Sequence, residues 1–270
     1  MKFARFPKFS VLSLLAGVFA LALAGCGGTN NLNLTQGNWS VTATSTATSR
    51  ALAAPTFIIG GNLTQNKSTV SGTMYVVDSL CFPASQAIAI TGTVKEKKVT
   101  LTTASFQDQV ITVTATGTDP STLTGTYTVT GTGCDGGDQG TVVATAMPSI
   151  TGTWTGPINP TLGIAVPTLS LNLTQSATAS EDGTFPLTGT VTYTNSGCSV
   201  SGTVSSGSVA GQYIASLHVN TIDQNQTAGD FFYENVLLDS ASAPTSMTGD
   251  YDAITDLCGE IAQPVTLTKQ

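Results

Sequence analysis

From about residue 37 onward the chain consists of short runs in which apolar and polar residues alternate. Leu123, Gly125, Tyr127 and Val129 interleave with Thr124, Thr126, Thr128 and Thr130. A period of two places one set of side chains on a dry face and the other on a wet face, which is the pattern of a half-buried strand. About eight such runs fall in each half of the chain. Turn signals such as Asp119-Pro120-Ser121 and Asp135-Gly136-Gly137-Asp138 separate them. No sustained helical stripe follows the first 25 residues. The pattern predicts an all-β chain of short antiparallel strands.

The halves are copies of one unit. Gly37-Asn38-Trp39 is echoed by Gly152-Thr153-Trp154, and Asn62-Leu63-Thr64-Gln65 by Asn172-Leu173-Thr174-Gln175. Cys81 and Cys134 are matched by Cys198 and Cys258. Two tandem β-domains are therefore expected at 37–147 and 150–270. A third motif recurs inside both: Val70-Ser71-Gly72-Thr73, Ile90-Thr91-Gly92-Thr93 and Leu123-Thr124-Gly125-Thr126 in the first copy. Leu187-Thr188-Gly189-Thr190, Val200-Ser201-Gly202-Thr203 and Met247-Thr248-Gly249-Asp250 follow in the second. A glycine within a strand marks a kink, a bulge or a close backbone approach, which lets a sheet curl. Eight such strands suit a small meander barrel, with a β-sandwich as the alternative.

Composition sharpens this picture. Of 270 residues, 47 are Thr and only 9% are charged, too few for a coiled coil or a long-helix protein. The start of the chain has a different texture. Lys2, Arg5 and Lys8 precede an apolar run from Val11 to Ala24, too short for a membrane span and suited to a signal peptide over residues 1–25. The run ends in Leu23-Ala24-Gly25-Cys26, which resembles a bacterial lipobox. That resemblance implies diacylglycerol on the Cys26 thiol, palmitate among its acyl chains and cleavage before it. Cys26 would then anchor the mature protein in the cell envelope, with residues 26–36 as a flexible tether. By the same resemblance, Gly27 in place of Asp directs the protein to the outer membrane rather than the inner.

Without the signal, six basic residues face 16 acidic ones, a net charge of 6 − 16 = −10. No basic stripe for nucleic acid exists, and the same balance predicts no electrostatic docking onto anionic lipid, leaving the acyl anchor as the membrane link. The copies differ: five basic and six acidic residues in the first, one basic and ten acidic in the second.

Gly-x-Trp opening the first strand, followed by a meander with Leu-Thr-Gly-Thr-Tyr-like segments, is similar to the calycin group of lipocalins and avidin-like barrels. The resemblance implies that Trp39 and Trp154 each plug one end of a barrel, and that an apolar small molecule or lipid sits in the other. Tyr75, Tyr127, Tyr193 and Tyr213 are then the candidates to line it. The late arginine that packs across the tryptophan in lipocalins has no counterpart, since Arg50 is the only arginine beyond the signal.

Four cysteines in an oxidising compartment allow three pairings, and the repeat selects Cys81–Cys134 and Cys198–Cys258. Each would close a loop of about 50–60 residues and stabilise its domain by roughly 4 kcal/mol. No Cys-x-x-Cys occurs, so no zinc site is expected. Nucleophilic triads need a base, and the single histidine, His218, stands in an alternating run as a strand residue. The acidic residues Asp250, Asp252, Asp256 and Glu260 surround Cys258, and Asp135 and Asp138 follow Cys134. Asp250 and Asp252 would lie about 7 Å apart on one face of a strand. Such a spacing admits Ca²⁺ or acid–base chemistry, while turn formation explains the same residues more simply. The expectation is a non-enzymatic envelope lipoprotein without cofactor or metal, binding a small apolar ligand or lipid. The alternative is an interaction or adhesion module that contacts protein or glycan through Thr-rich faces and loops such as Ala51–Thr56 and Thr221–Asp230.

Overall fold

The protein is described here from a computed structural model, which covers residues 31–46, 57–79, 82–132, 137–158, 168–195, 198–223, 227–254 and 261–270. The signal segment and Cys26 lie outside the described residues, as do Cys81, Cys134 and Cys258. Cys198 is described only in its backbone.

The first eight strands are β1 (Gly37–Ser45), β2 (Phe57–Asn66), β3 (Thr69–Ser79), β4 (Ala87–Lys95), β5 (Lys98–Thr103), β6 (Gln109–Asp119), β7 (Thr122–Gly131) and β8 (Gln139–Ala146). Each pairs antiparallel with its neighbour in sequence, and β8 closes on β1 with Trp39 opposite Ala146. The second eight are β9 (Gly152–Pro157), β10 (Thr168–Gln175), β11 (Phe185–Asn195), β12 (Cys198–Ala210), β13 (Tyr213–Asp223), β14 (Ala228–Leu238), β15 (Ser246–Ile254) and β16 (Ile261–Lys269). They form another meander, closed where β16 meets β9. The fold is two closed eight-stranded antiparallel barrels in tandem, and the sandwich alternative falls away.

Each barrel has a base, where its first strand begins, and a rim at the other end. Trp39 and Trp154 are fully buried at the bases. Each indole N–H donates to the carbonyl four residues earlier, Thr35 at 2.8 Å and Ile150 at 2.9 Å. The segment leading into each barrel is therefore folded back beneath the tryptophan. The Asn-Leu-Thr-Gln motif holds it there: Gln65 Oε1 accepts from Leu34 N at 2.7 Å, and Gln175 Oε1 from Ile150 N at 3.0 Å. Leu34 and Ile150 are themselves core residues. In barrel 1, Leu32 N also donates to Glu96 O (2.7 Å) and Thr35 N to Pro120 O (2.9 Å). Of the stretch expected as tether, residues 31–36 thus lie across the base of barrel 1. Gly37 and Gly152 turn the chain from this lead-in into the first strand with φ of 118° and 142°, where side chains are disfavoured.

The recurrent glycine motif has a single physical cause. A Cβ at Gly72, Gly92, Gly125, Gly189, Gly202 or Gly249 would stand 1.9–2.6 Å from a carbonyl oxygen of the facing strand. Close approach at these sites permits the coiling that an eight-stranded barrel requires. The abundance of threonine also resolves into geometry. Thr69, Thr93, Thr100, Thr114, Thr126, Thr141 and Thr44 are successive cross-strand partners, a row of seven around the outer wall of barrel 1. Threonine suits this place because it is β-branched, and its hydroxyl keeps the face wet without charge.

The base of barrel 2 abuts the side wall of barrel 1. Asn38 on β1 makes a paired amide contact with the β12–β13 turn: its Nδ2 donates to Gly211 O at 3.1 Å, and its Oδ1 accepts from Gly211 N at 2.7 Å. The wall under the turn is bare backbone. A Cβ at Gly60 would lie 2.3 Å from the backbone of Ala210 and Gly211, and one at Gly183 would lie 2.1 Å from Thr73 O.

Asn38→Ala leaves both Gly211 groups unpaired in a buried place, at a cost of about 2 kcal/mol, and Gly60→Val drives a side chain into the turn. Each substitution is expected to raise protease cleavage between residues 147 and 150 by about thirtyfold while the strand circular dichroism persists. Unchanged cleavage in both variants would contradict the docking.

Candidate functional site

Four aromatic rings meet at the rim of barrel 1. Phe57 begins β2 and Tyr127 sits near the rim end of β7, their ring centroids 5.1 Å apart at 72°. Phe82, from the β3–β4 loop, lies 6.2 Å from Phe57 and 5.5 Å from Phe106 of the β5–β6 loop. Edge-to-face contacts of this kind add modestly to the area that the rings bury. Asp138 is buried beside them and accepts from Tyr127 Oη at 2.7 Å and Ser45 Oγ at 2.6 Å. Turn chemistry accounted for Asp138 at the sequence level, but here its carboxylate ties β7 and β1 together under the rim. Its neighbour Asp135 lies outside the described residues.

Against Phe57 is a cavity of about 30 Å³, lined by apolar side chains that also include Met74, Ile90, Leu101 and Ile111. That volume equals one water molecule's share of the liquid, and an apolar void of this kind stays dry. The interior of barrel 1 is therefore filled by its own side chains.

Barrel 2 is packed around Trp154, Tyr233, Phe231, Tyr193 and Tyr251. The Tyr233 hydroxyl points inward to the carbonyls of Val265 (2.9 Å) and Met247 (3.1 Å), and Phe231 tilts against Tyr251 at 4.6 Å. Burial pushes the Tyr233 and Tyr251 hydroxyls well above the usual tyrosine range, with smaller contributions from Asp250 and from Tyr193 and Asp252 respectively. Of the four tyrosines expected to line an interior, Tyr127 and Tyr193 do so. Tyr75 and Tyr213 are half-buried on the outer walls instead. They oppose each other across the inter-barrel seam, where burial, then Tyr75, Glu234 and Asp78, raises the Tyr213 pKa. Strand parity explains the difference, since Tyr75 follows the core residue Met74 and Tyr213 precedes the core residue Ile214.

His218 is on the outer face of barrel 2. Its ring stacks on Phe232 at 4.4 Å and 7°, and Nε2 lies 2.9 Å from Asp230 Oδ1. Among the described residues no serine hydroxyl bonds the ring, so the pair is a surface contact between strands. Asp252 faces Phe232 and Asp250 faces Glu234 across β14 and β15, so the two aspartates share the outer face as their spacing implied. Asp250 Oδ2 accepts from Asn235 at 3.3 Å. Asp256 and Glu260 lie outside the described residues. Among the described residues no group of three metal-ligating side chains gathers.

Sequence reasoning missed four side chains that shape the two barrels. Lys269, near the C-terminal end of β16, holds its ammonium 5.3 Å from the centre of the Trp154 ring, the cation that was sought only as arginine. Gln65 and Gln175 were read as repeat markers, although a glutamine kept in both copies beside an apolar lead-in could have been read as its clasp. Phe82 carried no signal, because it stands outside any alternating run.

A tyrosine whose folded pKa exceeds its unfolded value of about 10 contributes stability that is present below that pH and lost as pH rises above it. An absorbance titration is expected to leave Tyr233 and Tyr251 un-ionised at about pH 11, then to ionise them in one step with loss of near-ultraviolet circular dichroism. Ionisation of all six tyrosines near pH 10 in a still-folded protein would contradict this burial.

No family model matches the chain, and no curated protein matches it. Among solved structures the chain is similar to Aeromonas veronii immune modulator A, with 10% identity over 93% of this chain and 100% of that one, at a TM-score of 0.24.

Proposed function

We propose that this protein is a non-enzymatic, lipid-anchored component of a bacterial cell envelope, whose two barrels act through their outer faces and rims on a protein or glycan partner. Export behind residues 1–25 and acylation of Cys26 belong to this reading, with the outer membrane as destination. The observation that carries it is the filled interior. A cavity of about 30 Å³ has no room for a lipid or a drug-sized molecule, whose sites run to roughly 300 Å³ or more. The outer walls, by contrast, offer ordered hydroxyls over much of barrel 1 and a half-buried Phe232 ringed by His218, Asp230 and Asp252 on barrel 2.

The disulfides Cys81–Cys134 and Cys198–Cys258 are part of the same proposal. The strand order supports them: the β3–β4 and β7–β8 connections share one rim, as do the start of β12 and the β15–β16 connection.

One observation favours a second reading, an apolar ligand in barrel 1. The void is lined by Phe57, whose ring meets that of Phe82, and a loop rather than a strand carries Phe82. An outward swing of Phe82 would give Phe57 room to follow, and so enlarge the void.

Native mass spectrometry of residues 27–270, purified from a bacterial periplasm, separates the two readings. The bare mass of the oxidised chain is expected, for wild type and for Phe82→Ala alike. A copurified small molecule on the wild type, lost or exchanged in Phe82→Ala, would overturn the outer-face reading in favour of the ligand.

A further inference from the structure

The six basic residues of the chain beyond the signal segment are unevenly placed. Lys67 is in the β2–β3 turn, and Lys95, Lys97 and Lys98 are in and beside the β4–β5 turn. Both turns are at the base of barrel 1, and all four lysines are exposed. None is in an ion pair with a described residue. The acids at the same end of the barrel are Glu96 and Asp119, giving a local charge of 4 − 2 = +2. The opposite end carries Asp78, Asp108 and the buried Asp138. Barrel 1 is thus polarised along its axis within a chain whose overall charge is strongly negative.

The lead-in segment reaches the same end. Asn31 Oδ1 accepts from Glu96 N at 2.7 Å, and Leu32 N donates to Glu96 O at 2.7 Å, between Lys95 and Lys97. Gln65, beside Lys67, holds the next residues through Leu34 N and Leu32 O. Asn31 is five residue steps from Cys26, with four residues between them, so an acyl group on Cys26 can stand at most about 18 Å from the lysine turn. A tether of the full stretch to residue 36 would have let the barrel tumble freely. With residues 31–36 bound, the base of the barrel cannot leave the bilayer surface by more than that short reach.

We propose that the base of barrel 1 is a membrane-docking surface. Lys67, Lys95, Lys97 and Lys98 would lie against the anionic phospholipid headgroups of the leaflet that holds the anchor, and the aromatic rim would point away from the bilayer. Whole-chain charge argued against electrostatic docking, because sixteen acids outnumber the bases. Potential near a membrane is local, however, and is screened within about 8 Å at physiological salt. The lysines that matter are those that the tether brings to the surface, and each strengthens such contact by about fivefold. This inference rests on the proposed acylation of Cys26.

The test uses the full acylated protein, in nonionic detergent and in vesicles of phosphatidylcholine with or without phosphatidylglycerol. Amine acetylation and carboxylate labelling are read by mass spectrometry. On vesicles that contain phosphatidylglycerol, Lys67, Lys95, Lys97 and Lys98 are expected to react about fivefold more slowly than in detergent. Asp78 and Asp108 should react as before, and high salt or neutral vesicles should restore the lysines. Unchanged lysine reactivity on anchored protein, protection equal on neutral vesicles, or protection of the rim carboxylates instead, would overturn the docking surface alone. Protein that fails to stay with any vesicle would overturn the anchor, and the docking surface with it.

Discussion

Each barrel depends on a tryptophan folded over its own lead-in segment and held by a glutamine from the second strand. A closed barrel has no sheet edge, but its two ends still expose a hydrophobic interior to water. At the base that exposure is removed by Trp39 with Leu34, and by Trp154 with Ile150. The plug needs polar groups as well as apolar ones, because the backbone of an irregular segment must find partners before it can be buried. The Gln65 and Gln175 amides supply them, and the indole N–H takes one lead-in carbonyl. Burying a leucine-sized side chain in this way contributes about 1.5–3 kcal/mol, an appreciable part of the stability of a small domain.

Much of the rest follows from that closure. With the base sealed from below, the rim is the other exposed end, and in barrel 1 aromatic rings and a buried carboxylate occupy it. The interior then has little free volume, which is why the proposed function is placed on the outer surface. Glycines let the wall of barrel 1 receive the Gly211 turn of barrel 2 backbone to backbone, a contact that side chains on Gly60 or Gly183 would prevent. The same lead-in that closes barrel 1 shortens the chain between the proposed anchor and the folded body, so one set of hydrogen bonds serves both stability and orientation.

The architecture was legible in the sequence because its cause is periodic. Alternation in runs such as Leu123–Val129 fixes strands, the paired Trp and Cys positions fix the repeat, and the six motif glycines mark the close approaches that curl each sheet. Barrel and sandwich could not be separated, since alternation is common to both and only the β1–β8 and β9–β16 pairings close the ring. The candidate site was less visible. Tyr127 and Tyr193 face inward while Tyr75 and Tyr213 face outward, a distinction set by strand parity that counting aromatics ignores. Asp138 read as a turn residue because its partners Tyr127 and Ser45 come from other strands. The lysine cluster was hidden by averaging, for it exists only once β2–β3 and β4–β5 turns are brought to one end.

Hydrogen exchange at the backbone amides of Leu32, Leu34 and Thr35 tests the central claim most directly, that the lead-in is an integral part of barrel 1. In the intact protein these amides should exchange as slowly as those of β1, and Gln65→Ala should release Leu34 while the central strands stay protected. Exchange of all three at unprotected rates in the intact protein would contradict it.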